Sequence, residues 1–323
     1  MKRVAVIGAG HFGREHARIY ARSDNADLVA ICDTDPSIGA AVASQYNVPF
    51  VSDFRELIGR VDAVSVVAPT LHHHSIACEL LDSAVAVLVE KPIALTVQEA
   101  DAIIAAASRN KAILQVGHLE RFNPAVAAAS QIVTQPLFFE AHRLSIFTPR
   151  SLDIDVVMDL MIHDIDVVLS FAASEVAEIR AAGVPILTPR IDIANARIEF
   201  ENGCVANLTA SRVSAERVRK LRFFQPHEYV SIDYSTQEAA VVAVRPGREG
   251  RPSFESRLLP AERDEPLRLE IESFLAAVEG GPVKTTGLEG RRALCHSPVA
   301  SRLHAGYQKL VGATGFEPVT PAV

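Results

Sequence analysis

Three sets of residues in this 323-residue chain have types and spacings that suit chemistry. Gly8, Gly10 and Gly13 form G-x-G-x-x-G in "VAVIGAGHFG", and Asp33 ends the next apolar run. Glu90, Lys91 and Pro92 close the apolar run "VLVEKP". Asp159, His163 and Asp166 interrupt the greasy stretch "VMDLMIHDIDVV". Their spacing of i, i+4 and i+7 puts them on one face of a helix. Charges in so apolar a segment are costly unless they are paired or used.

The glycine loop follows a strand-like run and opens a helix-like one, the context that a dinucleotide fingerprint requires. Gly8 permits the tight turn, Gly10 lets the main chain approach a pyrophosphate, and Gly13 lets helix and strand pack closely. The N–H groups of His11, Phe12 and Gly13 at the helix start attract phosphate charge. The Asp33 carboxylate suits both ribose hydroxyls and repels a 2′-phosphate. Asp35 adds a second negative charge, and no Arg or Lys follows in "DTDPS". The expected cofactor is therefore NAD rather than NADP.

Ligands of open α/β sheets bind outside the carboxyl ends of the strands. Glu90 and Lys91 occupy such an end, and Pro92, with fixed φ and no N–H, stops the strand there. Pro69 and Thr70 end the strand before it, and His73 or His74 opens the helix that follows. Consecutive side chains at a loop–helix junction point in different directions, so His72, His73 and His74 cannot all reach one ion. No metal is expected, and His73 is assigned to the nicotinamide side. His163 has a side chain that titrates near working pH and can act as a base. Asp159, one turn earlier, either orients the imidazole or binds a substrate hydroxyl. Asp166 reads as a structural brace.

The elements that must position these groups change character along the chain. Up to about Gly117 short apolar strands alternate with helical segments: "RVAVIG", "HFGREHARIYARS", "ADLVAICD", "SIGAAVASQY", "DAVSVVAP", "HSIACELLDS", "AVAVLVE", "VQEADAIIAAASRN", "AILQVG". Continuously apolar strands are those buried on both faces of a parallel sheet. Residues 1–120 are therefore expected to form an α/β Rossmann domain, a doubly wound parallel sheet. Beyond it the strands become half-polar and adjacent, as in "LFFEAHRLSIF", "VRKLRFFQ" and "EYVSIDY", and "EFENGCVANL" carries a hairpin turn at Asn202 and Gly203. Residues 121–311 are expected to form an α+β domain with a large open antiparallel sheet. Its main helix spans 156 to 171, another covers "LRLEIESFLAAVEG", and a last one from about Leu288 to Val311 packs back on the first domain. Residues 312–323 read as a loose tail.

Hydrophobic residues make up 49% of the chain and charged residues 22%, with a net charge of −7. The pI is about 5.9. No basic block stands out, which argues against nucleic acid and anionic membrane as partners. The densest basic run, "ERVRKLRFF", alternates like an exposed strand face. Four scattered cysteines suit a reduced, cytoplasmic protein. The apolar run after "MKR" breaks at Gly8, too early for a signal peptide, and no run reaches a membrane span.

Taken together, G-x-G-x-x-G, the following Asp, E-K-P and D-x-x-x-H-x-x-D in an antiparallel second half resemble the Gfo/Idh/MocA oxidoreductases. The resemblance covers the chain to about residue 310. It implies NAD(P)-dependent oxidation of a sugar or cyclitol hydroxyl, and a homodimer or homotetramer formed through the second-domain sheet. It places Asp159 and His163 at the substrate and Lys91 beside the reacting hydroxyl, where a cation stabilises alkoxide character. The segments "VGHLERFNPAV" and "PRSLDIDVVMDLMIHDIDVVL" are most similar to the branch that oxidises C3 of UDP-N-acetylglucosamine for lipid A precursor synthesis. A nucleotide-sugar substrate needs cations for its diphosphate. Arg121, Arg143, Arg150 and Arg212 are the candidates, with Arg121 and Asn123 favoured by the first of those segments. Two alternatives stand beside this reading. One is a myo-inositol or free-sugar dehydrogenase of the same family, and the other is a non-catalytic NAD-binding regulator.

Overall fold

The computed structural model describes residues 1–148, 154–246 and 251–297. The chain groups into two compact units, one of Met1–Pro124 with Glu262–Cys295, the other containing Ala125–Ala261.

In the first unit, β1 (Lys2–Ile7), β2 (Ala26–Cys32), β3 (Phe50–Val51), β4 (Ala63–Val66), β5 (Ala86–Glu90) and β6 (Leu114–Gly117) form one sheet in the order β3-β2-β1-β4-β5-β6. Every pairing in it is parallel. The chain reverses its direction of winding between β1 and β4, the point at which such sheets bind ligands. Strands β4 and β5 are buried at every position, which explains their unbroken apolar sequence. The helices α1 (His11–Tyr20), α2 (Pro36–Gln45), α3 (His73–Asp82) and α4 (Val97–Asn110) connect the strands. Helix α4 starts at a capping box, in which Thr96 and Glu99 each satisfy the other's backbone N–H.

The edge of this sheet at β6 is not left open. The Val116 N–H donates to the Thr285 carbonyl at 2.9 Å, and Thr285 Oγ1 donates to the Val116 carbonyl at 2.6 Å. This tie follows α7 (Pro266–Val278) and precedes α8 (Gly287–His296). Leu267, Ile271, Phe274 and Leu275 of α7 enter the core that contains Val4, Val6 and Leu88. The helix "LRLEIESFLAAVEG", assigned from sequence to the second half, is thus built into the Rossmann unit. Sequence periodicity shows that its apolar face is buried but not against what.

After helix α5 (Pro124–Ser130), eight strands of the second unit form one sheet. They are β7 (Phe138–Leu144), β8 (Val176–Val184), β9 (Ile193–Phe200), β10 (Val205–Ser211), β11 (Val218–Gln225), β12 (Glu228–Asp233), β13 (Glu238–Pro246) and β14 (Pro252–Leu258). Their order is β14-β13-β12-β11-β7-β10-β9-β8. The sheet is antiparallel except where β10 runs parallel to β7. In that one parallel pair β7 is followed by a helix before its neighbour β10 is reached, so the pair is joined by a crossover rather than a hairpin. Alternate residues of β9 and β11 are buried, the pattern of a sheet with one covered face.

The helix over that covered face is not uniform. Val157–Met161 form a π-helical turn, and the α-helix α6 runs over Ile162–Ala172. Ala141, Leu208 and Phe223 of the sheet and Ile165, Val168 and Phe171 of the helical segment lie in one core. Inside this apolar layer Arg143 and Asp164 form a bidentate ion pair, Nε to Oδ2 at 2.7 Å and Nη2 to Oδ1 at 3.0 Å. Both side chains are 3% exposed, and the Arg143 guanidinium stacks 4.8 Å from the Tyr234 ring centroid. Removing one member of a buried pair strands the other charge. Asp164→Ala should therefore cost about 3–5 kcal/mol of stability, measured by denaturant unfolding followed through fluorescence. A loss within about 0.5 kcal/mol, as at an ordinary surface site, contradicts this account of the pair.

Candidate functional site

The glycine loop of the first unit separates into three different constraints. Gly8 has φ +96°, which a side chain disfavours, and a Cβ there meets the Val67 carbonyl oxygen at 2.6 Å. A Cβ at Gly13 lands 1.8 Å from the Gly8 carbonyl oxygen. These two glycines are demanded by packing. Gly10 is not, since a Cβ there meets nothing within 4 Å. Open space over main chain at the start of a helix is what a pyrophosphate needs. No side chain caps the first turn of α1 among the described residues, so the N–H groups of His11, Phe12 and Gly13 keep their partial positive charge at that opening.

Asp33 is held against the same loop. Its Oδ2 accepts the Ala9 N–H at 2.6 Å and its Oδ1 accepts the Asp35 N–H at 2.8 Å. The carboxylate is thereby fixed beside the loop, where it suits a ribose diol. Asp35 has a structural task beside its charge. It caps α2, accepting the Ser37 N–H at 2.8 Å and the Ile38 N–H at 3.4 Å. The bonds from the Ser37 side chain and from these N–H groups hold its carboxyl below the usual range.

Pro69 and Thr70 follow β4, and Thr70–His72 make a short 3-10 turn that leads into α3 at His73. His73 is buried, with its ring between two carbonyls: Nδ1 lies 2.9 Å from the Pro92 oxygen and Nε2 2.8 Å from the Ala68 oxygen. The ring lies between the turns after β4 and β5, and in its neutral form it donates to one of these two carbonyls. Burial holds its pKa down. Among the described residues no group of three or more His, Cys, Asp or Glu side chains is placed to hold a metal ion.

Glu90 ends β5 almost fully buried, and Lys91 follows it half-buried, before a cis peptide to Pro92. The Glu90 carboxylate accepts the Lys91 N–H at 3.3 Å through Oε2 and meets His16 Nε2 at 3.2 Å through Oε1. Gly117 leaves room for it: a Cβ there falls 2.8 Å from Oε1. Glu90 thus supports Lys91 from behind, a role that the motif alone does not specify.

Arg121 and Asn123 also lie in the first unit, after β6. Arg121 pairs with Glu289, which caps the start of α8 by accepting the Thr286 N–H at 2.8 Å. Asn123 is buried and donates to Glu120 at 3.3 Å. A diphosphate at Arg121 would share the guanidinium with Glu289. The same neighbourhood holds Lys284, which sequence reasoning passed over. Its ammonium lies 4.6 Å from the Phe122 ring centroid, and burial and the Arg121 charge lower its pKa.

In the second unit Asp159 and His163 are half-buried, whereas Asp166 is buried. Asp159 belongs to the π turn and His163 to α6. The wider turn loosens the regular i, i+4 stack that the spacing suggested. Asp155 caps the turn, its Oδ1 accepting the Val157 and Met158 N–H groups at 2.9 and 3.0 Å. Burial raises its pKa, against these bonds and the Arg212 charge. Arg212 donates from Nη2 to the Ile154 carbonyl at 2.8 Å, and its own N–H donates to the Asp192 carbonyl. Asp192 gathers the Ile186, Leu187 and Thr188 N–H groups. Arg212 therefore anchors the entry to the Asp159–His163 segment. Arg143, spent on Asp164, is corrected from a diphosphate candidate to a core ion pair. Arg150 lies outside the described residues.

The family model described as "Oxidoreductase family, NAD-binding Rossmann fold" matches residues 2–118, and "GFO/IDH/MocA C-terminal domain" matches residues 133–225. The chain is 38% identical over 295 residues to a UDP-N-acetylglucosamine 3-dehydrogenase of Acidithiobacillus ferrooxidans, covering 90% of this chain and 94% of that one. A solved structure of that dehydrogenase superposes with a TM-score of 0.90 at 37% identity, covering 95% of this chain and 99% of that one. An inositol 2-dehydrogenase of Rhizobium meliloti is 26% identical, covering 93% of this chain and 96% of that one. Levoglucosan dehydrogenase in complex with NADH and levoglucosan shares the fold, with a TM-score of 0.84 at 20% identity, covering 94% of this chain and 97% of that one.

The Gly13 contact yields a direct test. Gly13→Ala must push α1 off the loop, so its affinity for NADH should fall at least ~tenfold, with a stability loss of about 1–3 kcal/mol. Titration of NADH fluorescence measures the first. An unchanged dissociation constant contradicts the packing role given to Gly13.

Proposed function

The chain belongs to the Gfo/Idh/MocA family of NAD-binding oxidoreductases, and from that premise we propose that it oxidises C3 of UDP-N-acetylglucosamine to the 3-keto nucleotide sugar. The observation that carries this reading is the 38% identity to a UDP-N-acetylglucosamine 3-dehydrogenase across nine-tenths of the chain. The fold, the glycine loop and the charged groups above are all compatible with it.

Oxidising a secondary alcohol requires an acceptor for hydride and a base for the hydroxyl proton. Bound NAD supplies the acceptor at C4 of its nicotinamide. Gly8, Gly10, His11, Phe12, Gly13 and Asp33 are the residues suited to hold it, with Pro69, Thr70, Glu90 and Lys91 at the strand ends beside them. His163, neutral, takes the hydroxyl proton. Lys91, cationic, stabilises the negative charge that grows on the substrate oxygen as the C–H bond breaks. Asp159 either fixes the His163 ring or holds a sugar hydroxyl. Arg121 with Asn123, and Arg150, are the proposed contacts of the diphosphate and sugar, and Lys284 beside Arg121 joins them as a second cation.

The product belongs to lipid A or other cell-envelope precursor synthesis, where a 3-keto sugar is ready for amination. The protein works in the cytoplasm as a homodimer or homotetramer built through its eight-stranded sheet. Two observations are compatible with that setting: no described helix is long and apolar enough to cross a membrane, and β14 presents Phe254 and Leu258 at an exposed sheet edge.

NADH formation with UDP-N-acetylglucosamine, and little with myo-inositol, is the expected result of a two-substrate assay. The reverse preference makes the protein a cyclitol dehydrogenase of the same family. In the active assay Lys91→Ala and His163→Ala should each lower kcat by about 10²–10⁴-fold, with NADH affinity within about threefold of wild type. Wild-type turnover in either variant removes that residue from its role.

A further inference from the structure

Behind Lys91 the first unit buries a polar cluster drawn from five elements. His16 of α1 links Glu90 of β5 to Ser65 of β4, with Nδ1 3.0 Å from Ser65 Oγ. Tyr20, one turn on in α1, closes the row with its hydroxyl 2.8 Å from Ser65 Oγ. His16, Tyr20 and Ser65 are all fully buried. Beside them α7 presents Glu270, also at 0% exposure, among Leu267, Ile271 and Phe274. Among the described residues neither Glu270 carboxyl oxygen has a hydrogen-bond partner. Gln115 of β6 donates to the Glu270 carbonyl at 3.1 Å instead of to its side chain. Glu270 belongs to none of the chemistry assigned above.

The charges nearby do not neutralise it. Arg18 of α1 pairs with Glu15 and Glu265, Arg268 of α7 pairs with Asp264 and Glu272, and Arg121 pairs with Glu289. Glu120 accepts from Asn123, and the Tyr20 hydroxyl is kept neutral by burial. The charge that bears on Glu270 is negative and belongs to Glu90, and burial together with that charge raises the Glu270 pKa well above the carboxylate range. Two carboxylates cannot both ionise in one buried site, so a single proton stays with the pair. Glu90 accepts the Lys91 N–H and meets His16 Nε2. Glu270 has no such bond among the described residues, and the cost of an unbonded carboxyl is far smaller when it is neutral.

We propose that Glu270 is a positioning residue, a buried neutral acid that keeps Glu90 the only negative charge behind Lys91. Ionising it would place a second charge in the cluster, pull on the Lys91 ammonium and loosen the Glu90 bonds that hold the turn. The effect on turnover rests on the role proposed for Lys91, whereas the protonation state of Glu270 does not.

The test compares full-length wild type with Glu270→Gln, an isosteric side chain that is permanently neutral. The sign follows from linkage. A carboxyl with a raised folded pKa binds a proton in the folded state that the unfolded chain has lost, so stability falls as pH rises from the ordinary carboxylate range toward the folded value. Above about pH 5 the unfolding constant of wild type, relative to Glu270→Gln, should grow roughly tenfold per pH unit until Glu270 ionises. Denaturant unfolding across pH measures it without any substrate. Parallel pH dependences overturn the proposal, because they mean that Glu270 folds as a carboxylate. In the second arm, kcat of Glu270→Gln at neutral pH should stay within about twofold of wild type, and its activity should persist to higher pH. A large neutral-pH loss, or superimposable profiles, overturns the positioning role even if the stability arm succeeds. Absence of turnover in both proteins on every sugar tested points instead to the substrate assignment, and the stability arm still tests whether the Glu90–Glu270 pair folds with a bound proton.

Discussion

A missing side chain at position 13 is the constraint on which most of the first unit depends. The helix α1 rests against the loop so closely that a Cβ at Gly13 would sit inside the Gly8 carbonyl oxygen. That contact does two things at once. It aims the uncapped first turn of α1 at the open main chain over Gly10, where phosphate charge is favoured. It also lowers the rest of the helix onto the sheet, so that His16 and Tyr20 reach Ser65 and His16 reaches Glu90. Glu90 in turn supports the Lys91 N–H. The dinucleotide loop and the lysine turn are separated widely in sequence, yet one helix seated on one glycine connects them.

The second unit solves a different problem, holding two polar groups at the end of an apolar helix. The entry to that helix is a π turn, and such turns leave main-chain groups that need partners. Asp155 supplies them, and Arg212 and Asp192 tie the preceding carbonyl to the neighbouring strand. Further along, Asp164 is neutralised by Arg143 beneath the sheet. The segment's four described acids therefore differ in their surroundings: Asp155 caps, Asp164 pairs, Asp159 stays half-buried and Asp166 is buried. Hydropathy alone makes them look like equivalent defects in a greasy helix.

Much of this was legible in the residues. The continuously apolar strands and the glycine loop specify a parallel sheet with a dinucleotide site, and the Asn202–Gly203 turn does join β9 to β10. The glycine of that turn has φ +83°, the conformation that makes glycine suit such a position. What escaped was information about partners. Nothing local to "LRLEIESFLAAV" says that α7 joins the Rossmann core, and so nothing marks Glu270 as more than a surface acid. The burial of His73 between the Ala68 and Pro92 carbonyls is likewise invisible in the sequence. Arg143 and Arg121 read as free cations until Asp164 and Glu289 are found beside them. Residue type and spacing report which groups are available, but pairing between distant segments decides which of them remain so.

The proposed function is a simple exchange, in which a hydride leaves one carbon of a nucleotide sugar and the chain's own groups manage the proton and the charge. Family membership and the NAD-binding fold constrain the reaction type, and the likeness to a UDP-N-acetylglucosamine 3-dehydrogenase points to the carbon. The measurement that reaches this most directly uses UDP-N-acetylglucosamine deuterated at C3 alone, with the reduced dinucleotide analysed by mass spectrometry. The account predicts one deuterium in every NADH formed and a slower initial rate than with unlabelled sugar. Unlabelled NADH formed at the ordinary rate would show that the hydride comes from another carbon and would contradict it.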